Sequence, residues 1–291
     1  MERYELLGEV MHLEDTDLGL KIEERCTVLM LPEKVQEGQQ IAPGVEVWTS
    51  LHTEGWLEMA FGMHAGAMHG QCRRYYQGGA VKWEAFFQDG RLHGPSITFA
   101  ANQKPLVEEW WVHGKREGRA RFYHASGKLS SIQRFRNGAW HGLQEWFYED
   151  GAQKTAMEYA EGRLHGRSIL YSRTGQPSRE IHFERGRRKG IDRQWSELGT
   201  LRVEAEYDGD VLIGTSRRWH KNGQLAEEMH FLGCPAKHNI RQWNVDGILL
   251  REGLYAEDGS YHQKVWDADG KLVMEQLGRW DGTQLLLGPP R

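Results

Sequence analysis

The side chains best suited to chemistry in this 291-residue sequence are its 14 histidines. Four of them, His69, His93, His141 and His165, each stand directly before a glycine, at spacings of 24, 48 and 24 residues. Imidazole titrates near neutral pH and ligates zinc, so such a series invites an acid–base or metal reading. The spacing speaks against both. If each period supplies one hairpin, equivalent atoms in successive hairpins lie about 9–10 Å apart, whereas zinc needs its ligand nitrogens at about 2 Å. The series therefore reads as a set of turn or packing residues. His220 with Glu227 or Glu228, and Ser126 or Ser130, sit in no nucleophile elbow or other catalytic motif. No phosphate loop or dinucleotide fingerprint occurs. The sequence assigns no catalytic residue, no metal site and no cofactor, and the chain is not expected to be an enzyme.

The glycines show what positions these residues. One series runs Gly66, Gly90, Gly114, Gly138, Gly162 and Gly186; a second runs from Gly70 to Gly214 at the same interval of 24 residues. A third, at Gly79, Gly127, Gly151, Gly175, Gly199, Gly223 and Gly247, is broken by Gln103. Aromatic columns keep the register, one at Tyr75, Phe99, Tyr123, Phe147, Tyr171, Trp195, Trp219 and Trp243 and another running from Phe87 to Tyr255. Such self-similarity marks a repeat architecture.

Within each period, runs rich in aromatic and β-branched residues lie between turn signals such as Asp89-Gly90, Asn137-Gly138, Asp150-Gly151 and Asn222-Gly223. These dipeptides supply the positive φ of tight hairpin turns, so each unit reads as one β-hairpin. Alternation within a strand puts Leu201, Val203, Ala205 and Tyr207 on an apolar face and Arg202, Glu204 and Glu206 on a polar one. A column of Glu84, Glu108, Glu180, Glu204, Glu228 and Glu252 is placed to pair with Arg73, Arg121, Arg193, Arg217 and Arg241 in cross-strand ion pairs on a solvated face.

The predicted fold is all-β: an elongated, solenoid-like single twisted antiparallel sheet of about eight to nine tandem hairpins, with an N-terminal cap. Residues 1–41, which include the apolar run from Cys26 to Pro32, are expected to be the cap, folded over the first hairpin. Residues 42–65 form a degenerate repeat, 66–257 the regular repeats, 258–284 a degenerate C-terminal repeat and 285–291 a tail.

The remaining composition narrows the function classes. A formal charge of −4 gives no global field for nucleic acid. Cys26, Cys72 and Cys234 are odd in number and lack zinc-ligand spacing, so a reducing compartment is the easiest fit. The N-terminus lacks a secretory signal and no stretch reaches membrane-span length, so a cytoplasmic protein is expected.

Deviations from the period are where recognition is expected. The doubled rings place Tyr76, Phe86, Trp110, Trp146 and Tyr148 on the usual polar face, as partner-binding candidates against the alternative of packing on a cap. Basic residues outnumber acids between 162 and 193, making Arg163, Arg185, Arg187, Arg188 and Lys189 candidates for an anionic partner against the alternative of a solvated turn region.

The segments Phe87-Gln-Asp-Gly90-Arg-Leu-His93-Gly94, Phe135-Arg-Asn-Gly138-Ala-Trp-His141-Gly142 and Tyr159-Ala-Glu-Gly162-Arg-Leu-His165-Gly166 resemble the MORN repeat. With Glu before the aromatic and Gly, the units are similar to the bacterial variant of YwqK-type antitoxin proteins. The chain departs from the MORN pattern where Ser96, Gln144 and Ser168 replace an expected Gly, and where Glu117, Lys189 and Ile213 replace the His. The resemblance implies a non-enzymatic protein-binding scaffold of antitoxin or immunity type, its partner another protein such as a toxin or effector. The alternative it implies is a peripheral membrane or phosphoinositide-binding adaptor on an anionic lipid surface.

Overall fold

The computed structural model describes the backbone of residues 5–7, 10–15 and 20–25, and residues 29–290 in full. Among the described residues every regular element except turns is a strand, pairing is antiparallel, and neighbours in the sheet are neighbours in sequence. The fold is all-β, as the hairpin punctuation predicts. No helix is long and apolar enough to cross a membrane among the described residues.

The chain divides into two compact units, residues 1–153 with 159–162, and residues 154–158 with 163–291. In the first, Val45–Leu51 pairs with Leu57–His64, Ala67–Tyr75 with Val81–Gln88, and Arg91–Phe99 with Pro105–Val112. The strands Glu5–Leu7, Val10–Asp15 and Leu20–Arg25 make a separate three-stranded sheet. In the second, Arg163–Tyr171 pairs with Pro177–Glu184, Arg187–Trp195 with Leu201–Asp208, and Val211–Trp219 with Leu225–Cys234. Lys237–Trp243 with Leu249–Tyr255 and Ser260–Trp266 with Leu272–Trp280 continue the order. Residues 285–291 read as a tail in the sequence, yet Leu285–Leu287 pairs with Gly278–Trp280 as a further strand.

Two kinds of turn alternate. At Asp89-Gly90 (φ 47° and 76°) and Asn137-Gly138 (φ 52° and 84°) both residues have positive φ, the signature of a two-residue type I′ hairpin turn. At Asp150-Gly151 and Asn222-Gly223 only the glycine is left-handed, at 97° and 88°. These are three-residue loops, closed by Gly151 N–H to the Tyr148 carbonyl at 2.9 Å and Gly223 N–H to His220 at 3.0 Å. The aspartate and asparagine serve differently here from the two-residue turns: Asp150 Oδ1 accepts the Ala152 N–H at 2.9 Å and Asn222 Oδ1 the Gln224 N–H at 3.1 Å. Where Gln103 replaces the glycine it still takes φ 61°, and its Nε2 donates to the Val81 carbonyl at 2.9 Å.

The most buried line in the sheet is made of mostly small side chains one period apart: Cys72, Ser96, Ala120, Gln144, Ser168 and Asp192 are each 7% exposed or less. Its polar members Ser96, Gln144 and Asp192 carry partners, as burial requires. Trp83 Nε1 donates to Ser96 Oγ at 2.9 Å, and Gln144 accepts the Arg134 N–H at 2.8 Å while returning a bond to the Arg134 carbonyl at 3.0 Å. The departures from the MORN pattern at Ser96, Gln144 and Ser168 thus fall on the buried line, where each keeps the hairpin intact.

Successive repeats are stitched at the type I′ turns. Gly90 donates its N–H to the Met68 carbonyl, Gly114 to Leu92 and Gly138 to Arg116, each at 2.8 Å, and Gly186 to Leu164 at 2.7 Å. Each bond reaches back into the preceding repeat, so stability runs from neighbour to neighbour.

Candidate protein-binding face

Three of the four histidines before the second glycine series face the next repeat's turn. His93 Nδ1 accepts the main-chain N–H of His113 at 3.3 Å, and His165 Nδ1 that of Arg185 at 3.5 Å. His69 Nδ1 lies 3.5 Å from the Asp89 carboxylate at the equivalent turn. In the loops at the other hairpin end, a ring nitrogen of His124 meets the Phe147 carbonyl at 3.2 Å and one of His220 the Trp243 carbonyl at 2.8 Å. These rings are joints between repeats. His220 thereby faces a carbonyl rather than the carboxylates of Glu227 or Glu228, which pair with Arg218 and Arg217.

The charge columns form the most continuous feature of the second unit. Glu180, Arg193, Glu204, Arg217, Glu228, Arg241, Glu252, Lys264 and Glu275 lie directly opposite one another on successive strands, alternating in sign. Arg193 Nε donates to Glu204, Arg217 Nε to Glu228 and Arg241 Nε to Glu252, each at 2.8 Å. The three arginines are 39%, 40% and 45% exposed, so each pair contributes about 0–1 kcal/mol. Bordering the ladder is a shallow depression of about 290 Å³ lined in part by Thr215, His230, Asn239 and Leu254. Thr215 and His230 are hydrogen-bonded to each other at 3.2 Å.

Around Gln71 and Arg73 the equivalent face of the first unit is not open. Residues 29–32, outside any strand, lie on it: Gln71 donates its main-chain N–H to the Leu29 carbonyl at 2.8 Å, and its Oε1 accepts the Leu31 N–H at 2.8 Å. Leu31 is 4% exposed and clusters with Val47 and Ala60, with Val35, Ile41 and Tyr75 against it. Arg73, one of the column arginines, keeps its Nε on Glu84 at 3.2 Å and sends Nη1 to the Pro32 carbonyl at 3.4 Å. Under this segment Arg73 is only 18% exposed.

The five aromatic candidates do not form one surface. Phe86 and Trp110 are 6% and 3% exposed, so neither presents a ring to a partner. Phe86 stands opposite Gln71, whose side chain is hydrogen-bonded to the segment 29–32 that crosses this face. Trp146 lies on the opposite face from the ladder position Glu145 and stacks edge-on to Trp140 at 5.9 Å. Tyr76 and Tyr148 occupy loop positions; the Tyr76 hydroxyl donates to the Phe99 carbonyl at 2.8 Å.

The basic candidates divide. Arg188 is bound to Asp210 at 3.0 Å and lies 4.0 Å over the Tyr207 ring, and Lys189 pairs with Glu184 at 3.0 Å. Arg167 and Arg179, neighbours in the same run, are bidentate to Glu180 and Asp192. Arg167 holds the Glu180 carboxyl below its ordinary range, chiefly by that hydrogen bond. Arg163, Arg185 and Arg187 are exposed at the type I′ turn end. Arg167, Arg179, Arg188, Lys189 and Arg193 of this run are thus paired with acids of adjoining strands and turns.

A family model described as a MORN repeat variant matches residues 116–137 and 212–232. No curated protein matches the chain. Solved structures of the Photorhabdus luminescens Tc holotoxin pore and of a TcdB2–TccC3–Cdc42 complex are each 13% identical to it. The alignments cover 83% and 84% of this chain but 14% and 15% of those chains, each with a TM-score of 0.19. The chain therefore spans a small part of the length of those proteins, and a likeness at that score places no constraint on its fold or partner.

Proposed function

We propose that this chain is a non-catalytic repeat scaffold that binds another protein, acting as an antitoxin or immunity-type neutraliser. The observation that carries the reading is the contrast between two sets of side chains. Histidines that invited a chemical reading, His93 and His165 among them, join successive repeats, while the ladder face of the second unit keeps its arginines partly exposed. A face of this kind, mixed in charge with apolar Ile191 and Ile213 each 37% exposed beside it, suits a protein surface better than a small substrate.

The test is co-expression with the products of neighbouring genes in the source cell. A growth-arresting partner should lose its toxicity and co-purify in a fixed ratio, and Arg217→Glu with Arg241→Glu should abolish both effects. Persistence of toxicity with every neighbour would remove the antitoxin role, and an unchanged complex with the double variant would remove the ladder face from it.

A second reading, an adaptor on an anionic lipid surface, is favoured by Arg163, Arg185 and Arg187, which are exposed at one hairpin end. Flotation with phosphatidylserine vesicles at low salt, lost on Arg185→Ala with Arg187→Ala, is its expected result. Absence of flotation sinks it.

A further inference from the structure

We infer that the ladder face of the second unit binds a proline-rich segment of the partner in polyproline II conformation. The inference rests on the protein-binding reading above and names the chemistry of the ligand.

The chain displays on its first unit what this face can hold. Arg73 splits its guanidinium: Nε stays on Glu84 and Nη1 reaches the carbonyl of Pro32. Tyr75, two residues on, packs against the Leu31 cluster. An arginine and a ring on one face of one strand thus grip a non-strand, apolar, proline-containing segment by its carbonyl and its side chain.

The same pair recurs at whole multiples of the period as Arg193 with Trp195, Arg217 with Trp219, and Arg241 with Trp243. Each arginine uses Nε on its glutamate as Arg73 does. Their exposures of 39%, 40% and 45%, against 18% for the covered Arg73, leave these guanidiniums partly open to solvent, with Arg217 Nη1 also 3.6 Å from the Glu204 carboxylate. The tryptophans are half-buried.

Spacing selects the ligand conformation. Successive arginines are two strands apart, roughly 9.4–9.8 Å. Polyproline II repeats every three residues, or about 9.3 Å, and its carbonyls carry no internal hydrogen bonds. An extended strand repeats every ~6.6–6.8 Å and an α-helix every 5.4 Å, so neither brings equivalent groups to consecutive arginines. Charge selects neutrality. Acids alternate with the bases along the ladder, so an anionic ligand would meet a carboxylate between each pair of arginines, whereas main-chain carbonyls meet the donors without that penalty. Indole faces are suited to proline rings.

The experiment is fluorescence anisotropy of the full chain with three labelled 12-residue peptides: repeating Ala-Pro-Pro, a Gly-Ser peptide and a Glu-rich peptide. The proline peptide is expected to bind at least tenfold more tightly than either control. Arg217→Lys with Arg241→Lys keeps the ladder charge, but an ammonium lacks the split between Nε and Nη. That variant, with an unchanged thermal midpoint, is expected to lose at least fivefold in affinity, as is Trp219→Leu, while Arg187→Gln loses nothing. Equal binding of proline and Gly-Ser peptides, preference for the Glu-rich peptide, or indifference to the lysine pair each overturns the inference. If the partner complex of the preceding section still depends on the ladder face in that case, only the ligand class falls and the scaffold reading stands.

Discussion

Glu117 Oε2 accepts the main-chain N–H of Asn137 at 2.7 Å, in the place where His93 Nδ1 accepts that of His113 at 3.3 Å. A carboxylate and an imidazole do one job because the job is only to accept an N–H. Glu117→His is therefore expected to be nearly neutral. Glu117→Ala should cost about 1 kcal/mol, at the low end for a lost acceptor because Asn137 is exposed and water can replace it. Urea midpoints of the two variants check this; equal losses would contradict it.

Ala65 opens a type I′ turn at φ 45° with Gly66 at 80°. A left-handed conformation costs a non-glycine residue roughly 1–2 kcal/mol, and asparagine tolerates it best. Ala65→Asn should raise the thermal midpoint, by the equivalent of about 0.5–1 kcal/mol, and a lowered midpoint would argue against this turn geometry.

Asp192 is 2% exposed and accepts from Arg179 Nε at 3.1 Å and Nη2 at 2.8 Å. Removing one partner of a fully buried pair costs about 3–5 kcal/mol. Arg179 is 37% exposed and can recover water, so Asp192→Ala should cost less, about 2 kcal/mol by denaturant titration.

Acid should loosen the second unit through Glu180. Its folded pKa is depressed, first by the hydrogen bond from Arg167. A depressed carboxyl contributes its stability in full above the unfolded value, near ~4.3, and loses it as pH falls through the lower folded value. The urea midpoint should be flat in this respect from neutral pH down to about 5 and fall below about 4. Glu180→Gln should shrink that fall; an identical acid limb in the variant would assign it elsewhere.

Cys72 is 0% exposed and burial pushes its thiol up to about 12. Because the thiolate is the reactive form, Cys72 should resist a thiol-specific disulfide reagent at pH 8 until the protein unfolds, whereas half-buried Cys234 should react in the native state. Mass spectrometry of the labelled peptides distinguishes the two.

What the sequence makes legible is local. The turn glycines, the apolar line through Ala205 and the pairing of Arg73 with Glu84 follow from a period that fixes which side chains share a face. It also places Arg193, Arg217 and Arg241 opposite their glutamates. It leaves open what covers a face. Phe86 looks like an exposed ring because the contact that hides its face joins residues 40 apart, Leu31 and Gln71, with no shared periodicity. The difference between Asp89-Gly90 and Asp150-Gly151 is likewise hidden, since the same dipeptide serves a two-residue turn and the end of a three-residue loop. The basic run from Arg163 to Arg193 overstated its charge because Glu204, Asp208 and Asp210, outside the run in sequence, reach it only through strand pairing.

The hydrogen bonds from each turn back to the preceding one, such as Gly186 to Leu164 at 2.7 Å and Asp210 to Arg188 at 3.2 Å, have a mechanical side. Within the second unit Gly186 and Asp210 fasten their repeats to the preceding ones by the same joint, so tension across this stretch loads one joint at a time. The repeats that begin at Arg163, Arg187 and Val211 should then give way in steps of equal length, each freeing one period of 24 residues, or about 80 Å of contour at 3.3–3.6 Å per residue. Such a molecule yields gradually under load and can re-form from the part that still holds.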